Sequence, residues 1–83
     1  SDDKDSKTTE AVRKKNKILA TCEKEVRDWV AKFEKKHERK PLESEMTDNL
    51  QDKMNPEILA KFVKKIVNEF EKENSNEDAL NNV

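Results

Sequence analysis

The chain contains no glycine and only two prolines among its 83 residues. Tight turns between β-strands usually need positive φ angles, which glycine supplies most readily, so this sequence is poorly suited to a strand-rich fold. Lysine, glutamate, alanine and leucine, which favour helices, are abundant instead. The sequence therefore predicts an all-α fold with short polar connections.

Apolar residues recur at helical spacing in three segments. The first runs from about residue 9 to about residue 38 in a heptad pattern. A second pattern, with an apolar residue at every fourth position, predicts a helix over about 43–53. The third begins at Asn55-Pro56, a capping residue before a proline suited to the first helical position, and extends to about residue 72. We expect a small three-helix bundle, with a long first helix, a short second helix and an amphipathic third helix.

The length allows one small domain, which we place at residues 9–73 between disordered polar tails at 1–8 and 74–83. Charged residues make up 45% of the chain and hydrophobic residues 31%, so the core must be thin. Trp29 and Phe33 are expected to pack against the third helix, and the second helix is expected to close the side with Leu42, Met46 and Leu50. The predicted core residues of the first and third helices are Leu19, Val26, Trp29, Phe33, Phe62, Ile66 and Phe70.

Charge is unevenly distributed, although the net charge is −1. Residues 11–40 carry eleven Lys or Arg against five Asp or Glu, a surplus of six positive charges. Such a surplus attracts phosphate or acidic protein surfaces. The alternative is a charged surface that only solvent contacts. The residues predicted to bind nucleic acid or a partner are exposed cations of the first helix end and the third helix: Lys35, Lys36, Arg39, Lys40, Lys61, Lys64 and Lys65.

No arrangement of residues suggests catalysis. His37 is the only histidine and Cys22 the only cysteine, so neither a metal site nor an internal disulfide is expected. A glycine-rich phosphate loop is impossible without glycine. We predict a protein that is not an enzyme, with no cofactor and no metal. The lone cysteine suits a reducing, intracellular compartment. No apolar run reaches the length of a membrane span, so no membrane partner is expected.

The order of aromatic, basic and capping residues resembles a known family. Trp29 and Phe33, then Arg39-Lys40-Pro41, then Ser44-Glu45, and finally Asn55-Pro56-Glu57 before Phe62 and Ile66 are similar to the N-terminal domain of replication-initiation factors, which include a RecQ-like helicase. The similarity covers about residues 22–70. Where the family usually has glycine, this chain has Glu38, and the interval before Asn55-Pro56 is longer. A similar pattern occurs in the C-terminal helical segment of certain Rho-GAP-containing signalling proteins.

Two functions follow as expectations. The resemblance to replication-initiation factors implies a homeodomain-like module that binds DNA or replication proteins, in the nucleus, with basic helix residues facing phosphate. The alternative is a helical protein-interaction or dimerisation module of a signalling or scaffold protein, with a possible homodimer through the first helix. The heptad pattern from Val12 to Phe33 favours this alternative, because it is longer than so small a fold needs.

Overall fold

A computed structural model of the chain describes the backbone of residues 2–81 and the side chains of residues 9–74. Within these residues it contains three helices: α1 (Asp2–His37), α2 (Glu43–Leu50) and α3 (Pro56–Asn81). The predicted all-α bundle, with a long first, a short second and an amphipathic third helix, is confirmed.

Both long helices exceed their predicted boundaries. α1 begins at Asp2 rather than near residue 9, and α3 continues to Asn81 rather than ending near residue 72. Neither extension contains glycine or proline, and aspartates early in α1 favour the positive end of the helix dipole. The predicted disorder of the tails 1–8 and 74–83 stays a prediction, since residues 1, 82 and 83 and the side chains of 2–8 and 75–81 lie outside the described residues.

α1 ends where Glu38 adopts a left-handed backbone conformation, with a φ of 55°. The Glu38 N–H still donates to the Glu34 carbonyl at 2.8 Å, and the chain then turns toward Pro41, which is buried. A residue with a Cβ atom loses about 1–2 kcal/mol in this conformation, whereas glycine does not. Glycine is therefore the residue best suited to the position of Glu38.

Replacing Glu38 by glycine is expected to stabilise the fold by about 1 kcal/mol, because it relieves the left-handed strain at the helix end. Urea denaturation followed by circular dichroism measures the change. The control is Glu38→Ala, which removes the same carboxylate from the negative end of the helix dipole but keeps the Cβ atom. If Glu38→Ala stabilises as much as Glu38→Gly, charge rather than backbone strain explains the gain.

Local hydrogen bonds determine the ends of α2 and the start of α3. The Leu42 N–H donates to the Glu45 carboxylate at 2.9 Å, which secures the first turn of α2. α2 stops at Leu50 instead of residue 53, because the Lys53 N–H bonds back to the Leu50 carbonyl and closes a tighter turn. Asn55 caps α3 as predicted: its Oδ1 accepts from the Glu57 N–H at 2.8 Å.

The hydrophobic core lies between the three helices. Eight hydrophobic side chains among the described residues are buried in it: Val26, Val30, Met46, Leu50, Leu59, Phe62, Val63 and Ile66. Three of the predicted core residues, Val26, Phe62 and Ile66, belong to this set. Three others are half-buried and pack against it: Leu19, Trp29 and Phe70. The core is as thin as the composition requires, so each of its large side chains contributes a large share of the stability.

Phe33 and Leu42 do not pack where the sequence predicts. Phe33 is half-buried outside the core cluster, and with Trp29 it lines a groove toward α2 instead of packing on α3. Val30 takes the place beside α3, next to Ile66 and Phe70. Leu42 is 63% exposed instead of closing the side, because it precedes the first turn of α2 and so lies outside the buried face of that helix.

α1 and α3 lie side by side and run in the same direction. α2, which connects them in the chain, runs in the opposite direction. Two ion pairs show this: Arg27 contacts Glu69 and Glu23 contacts Lys65, so each joins residues 42 positions apart. At this offset the first residue of α3 lies level with residue 14 of α1, so α1 projects beyond it by about 18 Å at 1.5 Å per residue. The radius of gyration is accordingly 17.0 Å, against about 12 Å for a compact chain of this length.

Candidate nucleic-acid interface

The seven cations predicted to bind DNA or a partner do not form one patch. All seven are exposed, but three of them are held by carboxylates: Arg39, Lys40 and Lys65. The other four form no ion pair with any described residue: Lys35, Lys36, Lys61 and Lys64. A cation already paired with a carboxylate must lose that partner before it can contact a phosphate.

Arg39 and Lys40 connect the end of α1 to the other two helices. The Arg39 guanidinium donates two hydrogen bonds of 2.9 Å to the Glu45 carboxylate, and it lies 4.8 Å from the ring centre of Phe33. Lys40 Nζ lies 2.9 Å from Glu73. It also lies 3.4 Å from Glu34 and 4.5 Å from the ring centre of Phe70. Both residues therefore have a structural role, connecting α1 to α2 and to α3.

Lys65 belongs to an ion-pair network along the contact between α1 and α3. Its Nζ lies 3.2 Å from Glu23, which also accepts from Arg27 at 2.9 Å. Arg27 in turn donates to both oxygens of Glu69, at 3.0 and 2.8 Å. Hydrogen bonds from Arg27 and Lys65 lower the pKa of Glu23, and the hydrogen bond from Arg27 lowers the pKa of Glu69. Lys65 therefore contributes to the contact between α1 and α3.

The four unpaired cations form two separate groups, because α3 runs parallel to α1. With the offset of 42 residues, Lys61 and Lys64 lie level with residues 19 and 22 of α1. Lys35 and Lys36 lie at least thirteen residues further along the helix, or about 20 Å away. The two groups would lie close together only if α3 ran antiparallel to α1. The sequence pattern does not determine the direction of α3.

Sequence reasoning found only Lys35 of a longer row of cations on α1. At 100° per residue, six exposed cations lie within about 100° of one another, on the side of α1 away from Val26 and Val30. These six residues, which we call the outer face, are Arg13, Lys14, Lys17, Lys24, Lys32 and Lys35. Among the described residues none of the six has an ion-pair partner, although Glu10 and Asp28 lie in the same sector. The signal in the sequence was the run from Arg13 to Lys17.

A row of aromatic rings lies on another side of α1. The ring centres of Trp29 and Phe33 are 5.2 Å apart, and those of Phe33 and His37 are 4.3 Å apart. These rings and Lys36 line an open groove of about 470 Å³ that α2 borders. The Arg39 guanidinium covers the Phe33 ring, and Glu45 and Asn49 of α2 line the same groove. The aromatic row therefore lies at the contact between α1 and α2.

The pairing of Glu45 predicts a pH dependence of stability. The Arg39 guanidinium, and secondarily the Leu42 N–H, lower the pKa of Glu45 from 4.5 to about 2. A carboxylate with a lowered folded-state pKa stabilises the fold above pH 4.5, and this stabilisation is lost as the pH falls toward 2. Urea midpoints of Glu45→Gln should therefore fall less between about pH 5 and pH 2 than those of the unsubstituted protein.

The matched control for this measurement is Glu43→Gln. Glu43 lies in the same turn of α2 and has no ion-pair partner among the described residues. Its substitution should leave the pH dependence of the urea midpoint unchanged. An equal flattening in both variants would show that the Arg39–Glu45 pair does not cause the effect.

Other kinds of site have little support in the described part of the chain. There, no three His, Cys, Asp or Glu side chains are grouped so that they could hold a metal ion. Over the same residues, no helix combines the length and hydrophobicity that crossing a bilayer requires. The outer face of α1 is a candidate for contact with a ligand because six exposed cations lie together on it.

No protein-family model, curated protein or solved structure matches this chain. The resemblance to replication-initiation factors thus stays a prediction from the residues quoted for it.

Proposed function

We propose that this chain is a non-catalytic binding module of a larger protein and that it contacts DNA through the outer face of α1. One observation carries the proposal: six exposed cations lie on one side of a single helix, and none of them is paired within the described part of the chain. They would reach a phosphate without breaking an ion pair.

The dimensions of the outer face suit a duplex. From Arg13 to Lys35 the row extends about 33 Å along the helix axis, close to the length of one turn of B-DNA. The major groove of B-DNA admits an α-helix, and lysine and arginine beside it reach the phosphates. Five of the six cations are lysines, which bind a phosphate as a point charge. We therefore expect contacts mainly to the DNA backbone, with little dependence on base sequence.

A role in replication initiation extends the proposal. It rests on the aromatic, basic and capping residues similar to those of the replication-initiation domain, and it includes contact with replication proteins and a nuclear location. Four of the originally predicted cations remain available for such contacts: Lys35, Lys36, Lys61 and Lys64. The other three are proposed to hold the fold.

Fluorescence-anisotropy titration with a labelled DNA duplex over a salt series tests DNA binding. Each phosphate contact contributes about −0.9 to the slope of log affinity against log salt concentration. Four to six contacts would therefore reduce the affinity by about 100- to 1,000-fold between 50 and 200 mM salt. No binding at low salt, or binding that salt does not weaken, would refute the proposal. A single strand of the same length shows whether duplex geometry matters.

A second candidate function, protein interaction through α1, has its own observation. Val12 and Ile18 are 48% and 58% exposed in the N-terminal half of α1. Sedimentation equilibrium tests the homodimer form of this function. A mass that rises with concentration, and falls back in Leu19→Lys, would support a homodimer through α1; a constant monomer mass would refute it.

A further inference from the structure

The N-terminal half of α1 carries a seam of residues at coiled-coil spacing. Ala11, Lys15, Ile18 and Cys22 follow one another at intervals of four, three and four residues, which brings them onto one side of the helix. This side continues the one that α2 covers further along α1, where Trp29 and Phe33 lie. α2 ends at Leu50, so the seam extends past its last turn.

The seam opens into a groove at its inner end. A depression of about 370 Å³ lies between α1 and the turn that precedes α3, and its lining includes Ile18, Cys22 and Lys53. Ile18 is 58% exposed and Cys22 is half-buried. The groove could therefore receive an apolar side chain of a partner helix without a change in the fold.

The charges around the seam select the partner. Lys15 belongs to the seam, and Lys14, Lys17 and Lys53 border it. None of these four lysines forms an ion pair with the described residues. Glu25 is the acidic residue that lines the same groove. Because Lys15 occupies an inward position of the seam, an opposing helix needs a carboxylate there as well as on its flanks.

A second copy of the chain fits this surface poorly. In parallel register, Lys15 of one copy would face Lys15 of the other, and an antiparallel pair centred on this segment would also bring the run from Arg13 to Lys17 against itself. Like charges at such positions destabilise helix pairing. The charge pattern therefore favours a different, acidic partner over a homodimer.

We propose that the seam Ala11–Lys15–Ile18–Cys22 is a docking surface for an acidic amphipathic helix of a partner protein. Apolar residues of that helix would cover Ile18 and Cys22, and its carboxylates would meet Lys14, Lys15, Lys17 and Lys53. Ile18 and Cys22 lie on a different side of α1 from most of the outer face, but Lys14 and Lys17 border both surfaces. A substitution at Ile18, which leaves these lysines in place, therefore separates peptide binding from DNA binding.

A synthetic helical peptide tests the inference. The probe has about three heptads, with leucine at positions a and d and glutamate at e and g. One comparison peptide has the same composition in shuffled order, and another has lysine in place of glutamate. Titration into the isotopically labelled protein, followed by amide chemical shifts, should show saturable binding of the acidic amphipathic peptide alone. The shifts should centre on Ile18, Cys22 and Lys53.

Two variants at equally exposed apolar residues make the test specific. Ile18→Glu should weaken peptide binding at least about tenfold, since it puts a carboxylate opposite carboxylates. Leu42→Glu changes a residue just before α2 that is 63% exposed. This variant should leave peptide binding unchanged. Circular dichroism checks that both variants fold, and both keep the outer-face cations, so DNA binding is a separate readout.

Four outcomes would overturn the inference. They are no amide shift at millimolar peptide, equal binding of the shuffled peptide, an equal loss in Leu42→Glu, and a dimer of the free protein formed through α1. A further arm uses phosphatidylserine-containing vesicles, because a basic helix with exposed apolar residues can also lie on an anionic membrane. Shifts at the seam with vesicles but not with the acidic peptide would replace the protein partner by a lipid surface.

Discussion

Replacing Phe62 by alanine is expected to destabilise the fold by about 3–5 kcal/mol. Phe62 is 4% exposed and belongs to the cluster of eight buried side chains between the three helices. Truncation removes the transfer free energy of the ring and leaves a cavity that neighbouring side chains only partly fill. Because small domains have total stabilities near the lower end of about 5–15 kcal/mol, the variant should retain at most about 2 kcal/mol and unfold at a much lower urea concentration.

Urea denaturation, followed by circular dichroism and by the fluorescence of Trp29, measures this effect. Trp29 packs against the core, so its emission reports tertiary structure while circular dichroism reports the helices. Leu42→Ala is the matched control, because Leu42 is 63% exposed and its truncation should change the free energy of unfolding by less than about 0.5 kcal/mol. A loss below about 1 kcal/mol in Phe62→Ala would contradict the core described above.

The helices and most of their inward faces follow from the sequence. The capping signal at Asn55-Pro56 is local, and the structure shows the expected hydrogen bond from the Glu57 N–H. The apolar spacing of α3 likewise predicts that Phe62 and Ile66 point inward, and both are buried. Such features depend on residues a few positions apart, so a pattern in one segment is enough to predict them.

The pairing of the charges does not follow from the sequence in the same way. Arg27 and Glu69, or Lys40 and Glu73, meet only because α3 runs parallel to α1 at a particular offset. Exposed ion pairs also contribute little to the free energy of unfolding. The sequence therefore need not place them in a regular pattern, as it does the core residues. For this reason the predicted patch combined cations that are paired with carboxylates and cations that have no ion-pair partner among the described residues. It included only Lys35 of the outer face.

Replacing Arg13, Lys17 and Lys24 by glutamine is expected to reduce the affinity for DNA at low salt at least about 100-fold. It should also make the slope of log affinity against log salt concentration shallower by about 3, because three phosphate contacts are lost. All three residues are exposed and unpaired within the described residues, so the helix should remain intact. Circular dichroism and the urea midpoint verify this before the DNA titration.

The most direct test compares this variant with a second triple variant of the same charge, in which Arg39, Lys40 and Lys65 are replaced by glutamine. These three cations are already held by Glu45, Glu73 and Glu23. Anisotropy titration of both folded variants with one DNA duplex should show a loss of at least about 100-fold for the outer-face variant. For the second variant it should show a change of less than about threefold, since paired cations release few counterions. An equal loss in both variants, or undiminished binding by the outer-face variant, would contradict DNA binding through the outer face of α1.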